Sequence, residues 1–223
     1  MSAKLPIIGG RPVEPPELRD LIARCQAGER AALGDFYRRY RGEVAKNLQR
    51  VLGPSSVARG DFEDVLQDVF IEAFRSIRRF RGDSKLSTWL YRVCVNIALQ
   101  RLRKRKRLAE VSPDEVPDKV NGSALAFRSE QTPERGLDAR RRLDAVYRVL
   151  DELAPKKRVV FILHEIEGRE PKEIAGLVGA PVLTVRTRLH YARKEFYARV
   201  AADPRFDGAR PLSPSAPTTE ERS

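Results

Sequence analysis

The sequence predicts an all-α protein of two small helical domains, an N-terminal helical bundle and a C-terminal helix-turn-helix domain, joined by a flexible linker. Apolar residues recur at helical spacing through residues 17–107 and 138–202. No segment shows the sustained alternation of apolar and polar residues that half-buried strands need. Residues 108–137 hold three prolines, two glycines and little periodicity, which is typical of a flexible linker.

Four helices are predicted for the N-terminal domain. The chain before them, residues 1–16, is rich in Pro and Gly, and we expect a disordered tail there. Apolar spacing then predicts helices over residues 17–28, 29–52, 61–81 and about 88–107. The third begins at Asp61 and has Asp64 in its first turn, where negative charge suits the positive end of the helix dipole.

The fourth helix has an apolar side and a polar side. The apolar side is lined by Leu86, Leu90, Val93 and Ile97, and the polar side by Arg92, Asn96, Gln100, Arg103 and Arg107. The loop Phe80–Ser87 offers small groups that can wall a pocket for an unstacked base, and the run RLRKRKR at 101–107 can contact phosphates. This pattern indicates a surface for single-stranded nucleic acid. The alternatives are that Trp89 serves mainly the core and that the cationic run only keeps the domain end soluble.

The C-terminal domain ends in a helix-turn-helix. Two helices are predicted before and after Pro155, and Pro171–Phe196 then contains two shorter helices joined around Gly179. The stretch RVVFIL at 158–163 is β-prone, but it stands between helix-ending residues, and we predict a buried helix. Residues 203–223 are rich in Pro, Ser and Thr, which predicts a disordered tail.

The second helix of this motif has an inward face and an outward face. The inward residues are Val185, Leu189, Ala192 and Phe196, and the outward residues are Arg186, Thr187, Arg188, His190, Tyr191 and Arg193. Arg can pair bidentately with guanine in a major groove, and other exposed positions can contact phosphate. The pattern therefore favours a helix that reads duplex DNA over a helical hairpin with a solvated cationic face.

The composition agrees with a polyanionic partner. The chain holds 43 Lys and Arg against 31 Asp and Glu, a formal net charge of +12, which favours nucleic acid first and acidic lipid second. Cys25 and Cys94 lack metal-type spacing and are predicted to be reduced thiols of a cytoplasmic protein. With only two histidines, neither a metal site nor a cofactor is expected. No apolar run reaches bilayer length, and we expect no membrane insertion.

Two stretches of the chain resemble a known family. The segment DFEDVLQDVFIEAFRSIRRFRGDSKLSTWLYRVCVNIALQRLRKRKR (61–107) resembles the second region of bacterial RNA polymerase sigma factors. The segment LAPKKRVVFILHEIEGREPKEIAGLVGAPVLTVRTRLHYARKEF (153–196) resembles the fourth region. No third region lies between them and no acidic N-terminal region precedes them, which is similar to the extracytoplasmic-function group.

The resemblance implies three sets of site residues. The helix that docks on the polymerase clamp coiled coil matches Asp64, Val65, Gln67, Asp68, Val69 and Phe70. The surface that captures a flipped base of the promoter −10 element matches Phe80, Arg81, Gly82, Asp83, Ser84, Lys85, Ser87, Trp89, Tyr91 and Asn96, and Arg92, Gln100 and Arg103 continue it. The −35 element would be read by Thr184, Arg186, Thr187, Arg188, His190, Tyr191 and Arg193.

The resemblance also implies a function for the chain. It predicts a catalytically inert promoter-specificity subunit that binds core RNA polymerase and promoter DNA and is held inactive by an anti-sigma factor. The family typically has Ser or Thr as N-cap at the position of Glu170 and commonly Gly at Leu183, so we expect a weaker cap and an altered turn. From the residues alone, two other functions stay open: a stand-alone helix-turn-helix regulator of duplex operators, and, less favoured, a nuclease with Mg²⁺ at Asp64 and Asp68.

Overall fold

The computed structural model describes residues 7–8, 11–12, 14–54, 60–111 and 133–206. Its helices are α1 Pro16–Gln26, α2 Arg30–Leu52, α3 Phe62–Ser76, α4 Leu86–Val111, α5 Pro133–Glu152, α6 Pro155–Phe161, α7 Pro171–Val178 and α8 Val182–Ala202. Short 3₁₀ turns follow α3 at Ile77–Arg79 and α8 at Pro204–Phe206, and α6 continues as a π-helix over Ile162–Ile166. A two-residue antiparallel strand pair, β1 Ile7–Ile8 with β2 Arg11–Pro12, precedes α1. The all-α prediction is confirmed.

The first domain packs α1 to α4 around a cluster of aromatic rings. Phe36 of α2 is fully buried and lies 4.8 Å from the Tyr40 ring, 6.5 Å from Phe70 and 6.0 Å from Phe74, measured between centroids. Tilted and edge-on ring pairs at these distances stabilise a core beyond the area that they bury. The helical spacing of apolar residues in α2 and α3 therefore serves this core, and α4 packs across both helices.

The second domain packs α6, α7 and α8 together, with α5 against α8. The β-prone stretch 158–163 lies in α6 and the π-helix that follows, and all six of its residues are buried, so the prediction of a buried helix is confirmed. Its core contains Leu150, Phe161, Ile162 and Phe196. The Phe161 and Phe196 rings lie 4.6 Å apart and join α6 to α8.

The ends of the predicted segments differ from those in the structure. The helix α4 continues to Val111 and α5 begins at Pro133, so residues 112–132, most of the predicted linker, lie outside the described residues. Glu14, within the predicted N-terminal tail, is buried. Phe206, within the predicted C-terminal tail, packs on the core of the second domain. The strand pair β1–β2 also lies within the predicted N-terminal tail, and the predictions for 1–6, 9–10, 13 and 207–223 lie outside the described residues.

The two domains pack against each other, a contact that the sequence did not predict. One continuous cluster of buried apolar residues runs from the first domain into α6, α7 and α8 of the second. Arg158 is only 2% exposed, donates a hydrogen bond to the Leu52 carbonyl at 2.7 Å and pairs with Asp151. The Tyr147 hydroxyl donates to the Arg50 carbonyl at 2.7 Å. Both contacts lie at the C-terminal end of α2, where carbonyls lack intrahelical partners.

Candidate nucleic-acid interface

The loop–helix face consists of the loop Phe80–Ser87 and the exposed polar side of α4. Two side chains hold the loop at its ends. The Gln26 amide donates to the carbonyls of Ile77 at 3.1 Å and Phe80 at 2.9 Å. The buried Glu14 carboxylate accepts the Leu86 backbone N–H at 2.7 Å, at the start of α4. Negative charge there satisfies a free N–H and suits the helix dipole.

Gln26 and Glu14 were not identified from the sequence. Each bonds to a residue more than 50 positions away in the chain, and no local pattern encodes such a contact. The only local signal at Glu14 is a single acid within a Pro-rich segment. Their positions make the loop a braced element with both ends tied to the N-terminal part of the domain.

Aromatic rings form one wall of the loop. The half-buried Phe80 and Trp89 rings lie 5.3 Å apart at 52°, and both pack on the edge of the first-domain core. Trp89 therefore lies at the edge of the core, where it contributes both to the core and to the surface proposed for single-stranded nucleic acid. Gly82 has φ of +71°, a conformation that residues with a Cβ rarely adopt, and it turns the chain at the loop tip. The exposed loop residues are Arg81, Asp83, Lys85 and Ser87, and Ser84 is half-buried.

The polar side of α4 is exposed along its length. The residues Arg92, Asn96, Gln100, Arg103 and Arg107 all lie at the surface, as their spacing predicts. A groove of about 850 Å³ lies between α3 and α4 beside the C-terminal part of this side, and Pro155 of the second domain also lines it. Gln100 and Arg103 line this groove together with Asp68 of α3. The surfaces matched to polymerase and to single-stranded DNA therefore adjoin.

The residues of α3 matched to the clamp coiled coil divide between core and surface. Val65, Val69 and Phe70 are buried in the first-domain core. Asp64, Gln67 and Asp68 are exposed. Ile71 and Glu72 are exposed too, although the family resemblance did not assign them to the polymerase contact. Successive residues are rotated by about 100° around a helix, so the buried residues and the exposed residues of α3 cannot all face one partner. The surface of α3 that a partner can contact is acidic with one apolar residue, Ile71.

Tyr91 lies at the contact between the domains, away from the loop–helix face. Its hydroxyl donates to the Glu167 carboxylate, with oxygen distances of 2.7 and 2.6 Å, and the Arg169 guanidinium lies 4.6 Å from the ring centroid. Burial, followed by the hydrogen bond and the charge of Glu167, raises the pKa of Tyr91 above its ordinary value. The hydroxyl therefore keeps its proton and remains a donor. In this packed arrangement Tyr91 is buried, and its predicted DNA contact requires the domains to separate.

We expect Tyr91→Phe to loosen the contact between the domains. The change removes the donor to Glu167, whose side chain stays largely buried, at a cost of about 1–3 kcal/mol. Small-angle scattering should record a larger radius of gyration. Tyr37→Phe is the matched control, because the Tyr37 hydroxyl bonds to Arg41 within α2 at 3.0 Å. An unchanged radius in Tyr91→Phe would show that the bond does not hold the domains together.

The recognition-helix face lies on α8 of a helix-turn-helix. The helix α7 ends at Gly179, whose φ of +61° makes the left-handed turn, and α8 begins at Val182. Among the residues matched to the −35 element, Arg186, Thr187, His190 and Tyr191 are exposed and Thr184, Arg188 and Arg193 are half-buried. Arg193 pairs with Glu165 at 2.6 Å, whereas no carboxylate in the described part of the chain pairs with Arg186. The Arg186 guanidinium is therefore available to a ligand.

The two departures from the family pattern leave this motif intact. At the start of α7, the Glu173 carboxylate accepts the Glu170 backbone N–H at 3.0 Å, as the acidic residue of a capping box does. Leu183 lies inside the first turn of α8, after a turn made by Gly179 to Pro181, so it does not need the freedom of glycine. The bond to Glu173 is therefore kept at this cap, and the turn is made with Leu183 in place of glycine.

The described ranges show neither a metal site nor a membrane-spanning helix. They contain no group of three or more His, Cys, Asp or Glu side chains placed to hold a metal ion. Among their helices, none combines the length and apolar character that crossing a bilayer requires.

Family models match both domains. A model of sigma-70 region 2 matches residues 36–108, and a model of sigma-70 region 4 matches residues 143–196. The ECF RNA polymerase sigma-E factor of Escherichia coli (strain K12) is 34% identical over 177 residues, which cover 78% of this chain and 89% of that protein. The sigma-E factor of Haemophilus influenzae is 33% identical, with coverage of 78% and 90%.

Two solved structures share the fold of this chain. CnrH, solved in complex with the cytosolic domain of CnrY, is 26% identical with a TM-score of 0.52, covering 83% of this chain and 97% of its own. The sigma factor RpoE from Bartonella quintana, solved with the anti-sigma factor NepR, has a TM-score of 0.52 at 20% identity and agrees in fold.

Proposed function

The chain belongs to the extracytoplasmic-function group of RNA polymerase sigma factors, and we propose that it directs core RNA polymerase to a defined set of promoters. The observation that carries this proposal is the relation to the Escherichia coli sigma-E factor, which runs through both domains and 89% of that protein. In this proposal the chain catalyses nothing itself. It acts in the cytoplasm, where core polymerase and promoter DNA are found.

Docking on core polymerase is proposed for the exposed side of α3. Asp64, Asp68 and Glu72 give that side negative charge, and Ile71 adds an apolar contact. A basic and partly apolar helical partner, such as the clamp coiled coil, fits this surface. Val65, Val69 and Phe70 support it from the core.

Strand capture is proposed for the loop–helix face. Extruding a base from a duplex costs a few kcal/mol, which must be recovered by contacts to the flipped base and its strand. The braced loop offers a preformed pocket wall next to Phe80 and Trp89, and the amides and guanidinium groups along α4 offer donors. The cationic end of α4 then lies along the phosphates, so binding should weaken steeply with salt.

Separation of the domains is the conformational step of this mechanism. Elements numbered −10 and −35 lie about 25 base pairs apart, or about 85 Å at ~3.4 Å per base pair. A packed body of about 170 residues has a radius of gyration of only about 15 Å. Residues 112–132, which join Val111 to Pro133, can span at most about 70 Å when fully extended. The packed arrangement is therefore the inactive one, and docking on polymerase opens it.

An anti-sigma factor is the regulator that we propose. CnrH was solved bound to the cytosolic domain of CnrY. A comparable partner of this chain would hold the two domains together and cover α3, which prevents docking on polymerase.

Run-off transcription tests the proposed function. Core RNA polymerase with this protein should initiate at specific promoters of a genomic library, and core enzyme alone should not. A stand-alone regulator would instead bind a duplex operator tightly without polymerase and would leave initiation by the core enzyme unchanged, and that result would overturn the proposal.

We expect Asn96→Ala to slow strand opening. Losing an exposed amide that bonds the captured strand should cost about 1–2 kcal/mol, or roughly tenfold in the opening rate. Permanganate reactivity of the −10 strand measures the opening, and a −35 duplex fragment serves as the control ligand, whose affinity should not change. An equal loss on both DNAs would contradict the assignment of Asn96 to the single strand.

A further inference from the structure

The first turn of α8 carries an exposed leucine on the recognition-helix face. Leu183 is 75% exposed, although leucine has no polar group to present to water. The inward face of α8 is complete without it, because Val185, Leu189 and Phe196 are buried. Leu183 therefore contributes little to the core, and its side chain is accessible to a bound duplex.

Its neighbours on the helix surface are residues matched to DNA reading. Residues three and four positions apart lie next to one another on a helix, which places Leu183 beside Arg186 and Thr187. The Thr187 hydroxyl donates to the Leu183 carbonyl at 3.0 Å, so this hydroxyl is committed to the backbone. The Thr187 methyl group and the Leu183 side chain together form a small apolar surface.

The major groove offers one apolar feature to such a surface. A thymine presents its C5-methyl group there, and the other base-edge features are hydrogen-bond donors and acceptors. Recognition helices contact base edges with residues at their N-terminal end, and Leu183 is the second residue of α8. The cationic Arg186 beside it suits the polyanionic duplex.

We propose that Leu183 is a specificity-determining residue that selects a thymine in the −35 element by apolar contact with the C5-methyl group. This inference rests on the proposed function, and it assigns one base preference to one side chain. The family commonly has glycine at this position, which lacks the side chain for such a contact. The thymine preference is thus a property of this chain.

Deoxyuridine substitution tests the contact. Holoenzyme made from the full chain and core polymerase first selects promoters from a library randomised upstream. We expect one upstream position to be enriched in thymine. Replacing that thymine by deoxyuridine removes only the methyl group and should weaken wild-type binding about fourfold, from ~0.8 kcal/mol per buried methyl-sized group.

The variants separate this inference from the proposed function. Leu183→Ala should bind the thymine and deoxyuridine promoters equally, and Ile166→Ala, which truncates an apolar residue 43% exposed outside α8, should keep the fourfold difference. The inference is wrong if Leu183→Ala keeps that difference, if no upstream thymine is enriched, or if Leu183→Ala loses affinity for core polymerase instead. Failure of the holoenzyme to select any promoter would overturn the proposed function as well.

Discussion

A Gly53→Ala variant is expected to hold its two domains apart, whereas Gly60→Ala keeps them together. Both glycines have a positive φ, +76° and +75°, so alanine strains the backbone at either position. They differ in their surroundings. A Cβ at Gly53 would clash with Cδ1 of Tyr147 in the second domain, and a Cβ at Gly60 meets nothing within 4 Å.

Tyr147 cannot move aside within the packed arrangement. It is 4% exposed, its hydroxyl bonds to the Arg50 carbonyl, and burial raises its pKa to about 12, so it remains a donor. Overpacking of this kind costs about 1–3 kcal/mol, and separation of the domains relieves it without unfolding either one.

The measurement is a distance between spin or dye labels, one in each domain, in the protein without polymerase. Gly53→Ala should shift the distribution to longer distances, and Gly60→Ala should match the wild type. Coincident distance distributions for the two variants would mean that the Tyr147 contact does not control the packing, and the proposed inactive arrangement would lose its main support.

Local features of the fold were predictable from the sequence because they follow from periodicity. The exposed side of α4, from Arg92 to Arg107, and the outward face of α8 were both located by spacing alone. The division of α3 was missed for a related reason. A family match assigns a segment to a partner, but only helix geometry around the core decides that Val69 faces inward and Asp68 outward.

Contacts distant in sequence were not predictable. Tyr91 and Glu167 are 76 positions apart, and neither residue type nor spacing signals that they meet. The same holds for Glu14. The sequence places it in a Pro-rich tail, whereas in the structure its carboxylate lies at the start of α4. These contacts connect the predicted helices into one packed body, and they determine which predicted DNA residues are accessible before polymerase binds.

Arg186→Ala is expected to remove the preference for one base of the −35 element. A bidentate pair between a guanidinium group and guanine contributes about 1–3 kcal/mol, or roughly 5- to 150-fold in affinity. Arg186 is suited to this contact because it is exposed on the recognition-helix face and no carboxylate of the described residues competes for it. Arg199→Ala is the matched control: it removes an arginine from the same helix, but one that pairs with Glu152 at 2.9 Å in the C-terminal part of α8.

The salt dependence of binding decides what Arg186 contacts. If Arg186 contacts a base, its removal leaves the slope of log affinity against log salt concentration unchanged, because no counterion release is lost. The removal then lowers affinity only for promoters that carry the preferred base. A phosphate contact would instead weaken binding to every promoter and reduce the slope by about 0.9. Holoenzyme binding, measured for both variants on promoters with each of the four bases at several salt concentrations, separates these outcomes. A uniform loss with a reduced slope would contradict the assignment of Arg186 to base reading and place it among the residues that only position the helix on the duplex.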